Sequence, residues 1–159
     1  MKKLLVFDLD DTLILGSEMT ARRNELQVGK FGIKIRPFWG DLRKALTPQH
    51  DFAIWSVGSA GYVDGVCEFL FTSDCLPVFK WHREYCDFTV MGSPARYQFR
   101  KSLTKLEPML ETYKSIVVVD DSPIESINDR IISIKIQSWD GDVLDSELAK
   151  LMTQLLNQS

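Results

Sequence analysis

Asp8, Asp10 and Asp11 stand together at the end of the apolar run Leu4-Leu5-Val6-Phe7, with Thr12 directly after them. A buried strand can carry Leu4 to Phe7, but it cannot enclose unpaired carboxylates. The acids therefore belong where the strand leaves the sheet, which in an open α/β sheet is the carboxyl edge where ligands bind. Two further apolar runs end in a similar way: Asp51 to Trp55 is followed by Ser56, and Ser115 to Val119 by Asp120 and Asp121. Parallel strands would bring Asp8, Asp10, Ser56, Asp120 and Asp121 to one crevice. Four carboxylates at close quarters repel one another unless positive charge is supplied. Oxygen ligands without histidine or cysteine point to Mg²⁺, which takes one or two carboxylates plus waters and phosphate oxygens.

That constellation suits phosphoryl transfer, where positioning and charge neutralisation matter more than strong bases. An Asp carboxylate can accept the phosphoryl group. Asp10 can protonate the leaving alkoxide and then activate the hydrolytic water. Ser56 can donate to a phosphate oxygen. A lysine can neutralise the transferring group, and Lys101 and Lys105, one helical turn apart, both qualify.

The elements needed to position these residues are legible along the chain. Residues 3–8, 51–56, 115–120 and 131–136 read as buried strands. Residues 25–35 read as a small hairpin turning around Gly29 and Gly32. Pro37 suits a helix start, with Phe38, Leu42, Ala45 and Leu46 at helical spacing. Tyr62 to Phe71 reads as a second helix and Lys101 to Thr112 as a third, interrupted at Pro108. Asp142 is placed to cap a last helix with Leu144, Leu148, Leu151, Met152 and Leu155 on its apolar face. Residues 72–100, with Pro77, Pro94 and short β-prone pieces, read as an insertion over one edge of the core. Strands alternating with helices imply a doubly wound, mostly parallel α/β sheet in one domain spanning residues 1–159.

Bulk properties narrow the functional classes. The chain has 159 residues, 45% of them hydrophobic and 26% charged, and a net charge of −3. That charge provides no general drive towards nucleic acid or anionic membranes. No apolar run approaches the roughly 20 residues of a membrane span. Cys67, Cys75 and Cys86 are an odd number without paired metal-ligand spacing, which suits reduced thiols and a cytoplasmic, reducing location. His50 and His82 lack partner spacing for a metal or a base. Trp39, Trp55, Trp81 and Trp139 read as packing groups, and Arg36 as a helix-start or surface residue.

Motif order makes a family resemblance specific. Asp8-Leu9-Asp10-Asp11-Thr12 resembles the first motif, Asp-x-Asp-x-Thr, of haloacid dehalogenase superfamily phosphatases. Ser56, Lys101 and Asp120-Asp121 resemble the second, third and fourth. Within that superfamily the chain is most similar to the branch of the small C-terminal-domain phosphatases, the NLI-interacting-factor-like family. Arg36-Pro37, Trp55-Ser56-Val57-Gly58-Ser59-Ala60-Gly61-Tyr62, Arg83-Glu84-Tyr85-Cys86, Lys101-Ser102-Leu103-Thr104, Asp120-Asp121-Ser122-Pro123 and Gln137-Ser138-Trp139 carry the likeness.

The resemblance implies a Rossmann-like fold with a hairpin flap and an insertion between the second and third motifs. It implies an Mg²⁺-dependent phosphomonoester hydrolase with Asp8 as nucleophile, forming an aspartyl-phosphate. Asp10 would be general acid/base, with its backbone carbonyl on the metal, and Asp120 and Asp121 would complete the metal site. Ser56 and Lys101 would hold the phosphate, while Arg83 and Tyr62 would line the substrate entrance. The substrate would be a phosphoserine or phosphothreonine protein. Rival readings are a small-molecule, nucleotide or nucleic-acid-end phosphatase, or a non-catalytic binding module of the same fold. Two departures bear on specificity. The hairpin region is short, and the insertion does not reproduce the family's hydrophobic pocket for proline-containing phosphopeptides.

Overall fold

The structure is a computed structural model that describes residues 1–18 and 26–158. Five parallel strands form the central sheet: β1 (Lys3–Phe7), β5 (His50–Trp55), β6 (Lys80–Trp81), β9 (Ile116–Asp120) and β10 (Ile131–Lys135). Their spatial order is β10-β9-β1-β5-β6. The chain therefore winds outward from β1 in one direction through β5 and β6, then returns to the other side for β9 and β10. The reversal at β1 is the topological switch point, where an open α/β sheet leaves a crevice beyond its carboxyl edge.

Strand periodicity of two divides the core. Leu5 and Phe7 of β1 point to the same face as Phe52, Ile54, Val117 and Val119. On that face they pack against α1 (Trp39–Leu46), α2 (Ala60–Leu70) and α3 (Glu147–Asn157). Leu4 and Val6 point the other way, with Ala53, Trp55, Ile116 and Val118, and pack against Leu103, Leu106 and Leu110 of a 3₁₀ segment, Leu103–Glu111. Burial on both faces explains why these strands read as continuous apolar runs rather than alternating ones.

Two antiparallel sheets decorate this core. β2 (Ile14–Glu18), β3 (Leu26–Val28) and β4 (Phe31–Ile35) form a flap ordered β2-β4-β3. The β3–β4 hairpin is the one expected from the sequence, although its expected first residue, Glu25, lies outside the described residues. Gly29 takes the left-handed turn position with φ 56°, whereas Gly32 lies within β4. Strand β2 was not anticipated. β7 (Asp87–Met91) and β8 (Arg96–Arg100) form a separate hairpin.

Several elements differ from the sequence reading for local reasons. Residues 72–100 are not wholly an insertion, because β6 pairs in parallel with β5, Ile54 opposite Lys80. The segment at Pro108 is 3₁₀ rather than α-helical, as expected where proline removes an amide donor. Pro37 precedes α1 instead of opening it, because Phe38 takes φ 68° at the N-cap. The last helix begins only at Glu147, after Ser146. The Asp142 carboxylate accepts the Leu144 backbone N–H in a local turn, and Leu144 is exposed instead of joining the apolar face.

Arg36 is the main surprise. Its side chain is completely buried, not a surface group. The guanidinium donates to both carboxylate oxygens of Asp145 at 2.8 and 3.0 Å, to the Gln137 carbonyl at 2.7 Å and to the Thr12 and Asp11 carbonyls at 3.1 and 3.3 Å. One planar fork thus ties the loop after β1 to the segment that leads into α3. Removing one partner of such a pair leaves a buried charge alone. Arg36→Met is expected to lower unfolding free energy by about 3–5 kcal/mol in urea denaturation. The Arg36 guanidinium holds the Asp145 carboxyl below the ordinary carboxylate value. A depressed folded-state pKa contributes stability at neutral pH that is lost as pH falls through the carboxylate range. Asp145→Asn should flatten that acid limb.

Candidate active site

Asp8 is the first residue beyond β1, and its backbone N–H donates to the Val119 carbonyl at 2.9 Å. This bond continues the β1–β9 ladder and sets Asp8 beside Asp120, the last residue of β9. Both carboxylates are nearly excluded from water. Lys101 bridges them, its Nζ 2.8 Å from Asp8 Oδ1 and 2.6 Å from Asp120 Oδ2. Burial works against charge on the lysine, but Asp8 and Asp120 outweigh it and hold its pKa above the ordinary value. One ammonium does not fully compensate the pair. Burial, reinforced by Asp120, pushes the Asp8 carboxyl up to about 7 despite Lys101.

The neighbouring carboxylates are held by short-range bonds. The Asp120 Oδ1 accepts the Ser122 N–H at 2.9 Å. Asp121 accepts from Ser138 Oγ at 2.8 Å, and its backbone N–H donates to Thr12 Oγ1 at 3.1 Å. The buried Thr12 hydroxyl lies 3.3 Å from Asp8 Oδ2 and 3.4 Å from Asp121 Oδ1, between the two carboxylates. Among the described residues, Asp8, Asp120 and Asp121 each present an oxygen within 4.8 Å of the others. An all-oxygen set short of positive charge fits a hard divalent cation such as Mg²⁺.

Asp10 stands apart from this trio. Its Oδ1 accepts the Tyr62 hydroxyl at 2.7 Å, and the metal contact that the resemblance implies for Asp10 is through its backbone carbonyl, not this carboxylate. Burial raises its pKa, against the opposing Tyr62 bond. Asp11, the acid without an expected role, takes φ 62°. Its carbonyl receives the Trp139 N–H at 2.8 Å and an Arg36 bond. Asp11 therefore serves the loop through its backbone, in a conformation that Asp tolerates and β-branched residues resist.

The remaining sequence candidates separate. Lys101 reaches the acids, whereas Lys105 is tied to the Tyr85 carbonyl at 2.9 Å and to Asp87 at 3.0 Å. Ser56 lies at the end of β5 but is fully buried, its Oγ accepting the Gly58 N–H at 3.0 Å. Tyr62 is half-buried, and its hydroxyl donates to Asp10, which lines the cleft. Arg83 is exposed, its guanidinium 5.7 Å from the Phe99 ring centre. The acids floor a cleft of about 920 Å³. One wall carries Asp87, Thr89, Gln98 and Arg100 of the β7–β8 hairpin, and the other runs from Asp121 to Asn128. Thr12, Ser138 and Arg36 were missed as site residues. The first lies inside the opening motif, but nothing local shows that Ser138 returns to Asp121.

The family model for NLI interacting factor-like phosphatases matches residues 3–159. The chain belongs to that family. A curated relative from Dictyostelium discoideum, a probable C-terminal domain small phosphatase, is 27% identical over 161 residues, covering 96% of this chain and 49% of its own. The chain thus spans about half the length of that relative. Two solved structures of Fcp1, an RNA polymerase II CTD phosphatase, share the fold. The fission yeast protein bound to beryllium fluoride has a TM-score of 0.60 at 18% identity, over 99% of this chain and 50% of that one. The other has a TM-score of 0.61 at 21% identity, over 99% and 49%. Among the described residues, no helix is long and apolar enough to cross a membrane, and Cys67, Cys75 and Cys86 are buried free thiols.

Two substitutions check the site's physical basis. Lys101→Met leaves Asp8 and Asp120 facing each other without a cation, and should lower stability by about 3 kcal/mol when measured by denaturation in EDTA. Asp11→Asn should be close to neutral in the same assay, whereas Asp11→Val should lose about 1–3 kcal/mol through its left-handed backbone.

Proposed function

We propose that the chain is a phosphoprotein phosphatase that works through an aspartyl-phosphate on Asp8. The observation that carries this reading is the buried Asp8–Lys101–Asp120 bridge at the floor of an open cleft. A carboxylate nucleophile needs its charge balanced so that an anionic phosphate can approach, and it needs a group that offers a proton to the departing oxygen. Lys101 supplies the first. Asp10, raised by burial and set apart from the other acids, suits the second.

In this reading Asp8 Oδ attacks phosphorus while Asp10 protonates the leaving alkoxide. Asp10, now ionised, takes a proton from water as that water attacks the aspartyl-phosphate, which restores Asp8 and releases phosphate. Lys101 neutralises the transferring group. Ser56 Oγ accepts the Gly58 N–H, and its own proton would be the one to serve a phosphate oxygen. Asp8, Asp120 and Asp121 would hold Mg²⁺, which would balance charge between nucleophile and phosphoryl oxygens. The thiols and the charge balance fit an intracellular location.

An open cleft of this volume suits a phosphoserine or phosphothreonine segment better than a small enclosed ester. The curated relative, named as a C-terminal domain phosphatase, and the Fcp1 structures support the same class. The native chain should hydrolyse p-nitrophenyl phosphate with Mg²⁺ and lose at least about 100-fold in EDTA or as Asp8→Asn. Full activity in Asp8→Asn would remove the nucleophile assignment. Phosphopeptides should exceed nucleotides and sugar phosphates in kcat/KM; the reverse ranking would replace the substrate class.

A further inference from the structure

Tyr62 occupies a slot that three elements shape around its hydroxyl. It lies in the first turn of α2 and donates to Asp10 Oδ1 at 2.7 Å. Phe31 of β4 meets its ring edge-on, with centroids 5.4 Å apart and planes at 71°. Gly16 of β2 faces the hydroxyl so closely that a Cβ there would lie 2.5 Å from the Tyr62 oxygen and 3.5 Å from Asp10 Oδ1. A Cβ on Gly58 would lie 2.9 Å from the ring. The flap is seated on α2 as tightly at a second point, since a Cβ on Gly65 would lie 2.5 Å from Val28 of β3. Gly16 and Gly58 are therefore explained by space, and that space is the tyrosine's.

We infer that Tyr62 is a positioning residue that fixes Asp10 as the proton donor to the leaving group, with the flap holding Tyr62 in place. The inference rests on the phosphatase reading above. Its chemical basis is the direction of one hydrogen bond. The carbonyl oxygen of a protonated carboxyl is the better acceptor, so a tyrosine O–H donating to Oδ1 favours placing the Asp10 proton on Oδ2. As the Asp8 oxygen–phosphorus bond forms and the phosphorus–leaving-oxygen bond breaks, the Oδ2 proton passes to the departing alkoxide. The charge that then develops on Asp10 strengthens the Tyr62 bond, because hydrogen bonds to ionised acceptors are the stronger ones. In the second half the same bond steadies the carboxylate that takes the proton from water. Tyr62 thus acts through Asp10 and not as a wall for substrate.

Leaving-group chemistry separates this role from a structural or substrate-binding one. p-Nitrophenolate leaves with little need of a proton, whereas the serine alkoxide of a phosphopeptide needs one. Tyr62→Phe retains the ring and its contact with Phe31. Its kcat/KM for p-nitrophenyl phosphate, which does not report the later hydrolysis of the aspartyl-phosphate, should fall far less than that for a phosphoserine peptide. For a phosphoserine peptide it should fall by about 10- to 100-fold, part of the roughly 10²–10⁴ a general acid contributes. Gly16→Ala, which displaces the hydroxyl while keeping the tyrosine, should reproduce the selective loss. Asp10→Asn should show it in larger measure. Equal losses on both substrates in Tyr62→Phe, or no loss on either, would overturn the inference. A native chain that leaves p-nitrophenyl phosphate untouched would instead overturn the functional reading on which it rests. Selective loss in Asp10→Asn but none in Tyr62→Phe would confine the failure to Tyr62.

Discussion

Asp8 and Asp120 leave adjacent parallel strands with both carboxylates almost out of water, and that enclosure of like charge governs the rest of the molecule. Two anions so placed are tolerable only with a cation between them, and Lys101 is the cation the chain provides. The lysine comes from the stretch between β8 and the 3₁₀ segment, so the β7–β8 hairpin and that segment must be in place before the pair is balanced. Compensation is still incomplete, as the elevated Asp8 carboxyl shows. A site with leftover negative charge, ringed by fixed donors, is prepared for a divalent cation and the phosphate that accompanies it.

A second buried charge performs the mechanical task. Arg36 gathers the Asp11 and Thr12 carbonyls on one side and Gln137 and Asp145 on the other. It fixes the loop that carries the acids without touching any acid of the cluster. The adjoining segment reinforces the tie through Trp139 N–H to Asp11 and Ser138 Oγ to Asp121. Charge thus takes two forms around this loop. It is unbalanced at the mouth of the sheet, where chemistry would need it, and fully matched beneath the loop, where rigidity does.

Much of this was visible in the chain itself. Strands buried on both faces must be apolar throughout, so β1, β5 and β9 stand out against their flanks, whereas the edge strand β10 buries only Ile131 fully. Acids following such strands can sit only at an edge, and one edge collects them all. What escaped is of another kind. β2 carries Gly16 and Ser17, neither a strong strand former, and owes its strand state to pairing with β4. β6 has only two residues, too short for any periodic signal, yet it closes the main sheet. Arg36 looked exposed because arginine usually is; its burial depends on Asp145, 109 residues away.

The sequence alone determined which residues could carry the chemistry and which strand ends they occupy, because burial and period are local properties of a few consecutive side chains. It also carried the family, through motifs kept in order. Only the tertiary structure shows which partners those side chains meet. Lys101 was chosen over Lys105 because Lys105 is bound to Tyr85 and Asp87. The Asp10 carboxylate is held by Tyr62, 52 residues further on. Both outcomes turn on the direction in which a flexible polar side chain finds its partner. That partner lies on another element, so no spacing along the chain can disclose it.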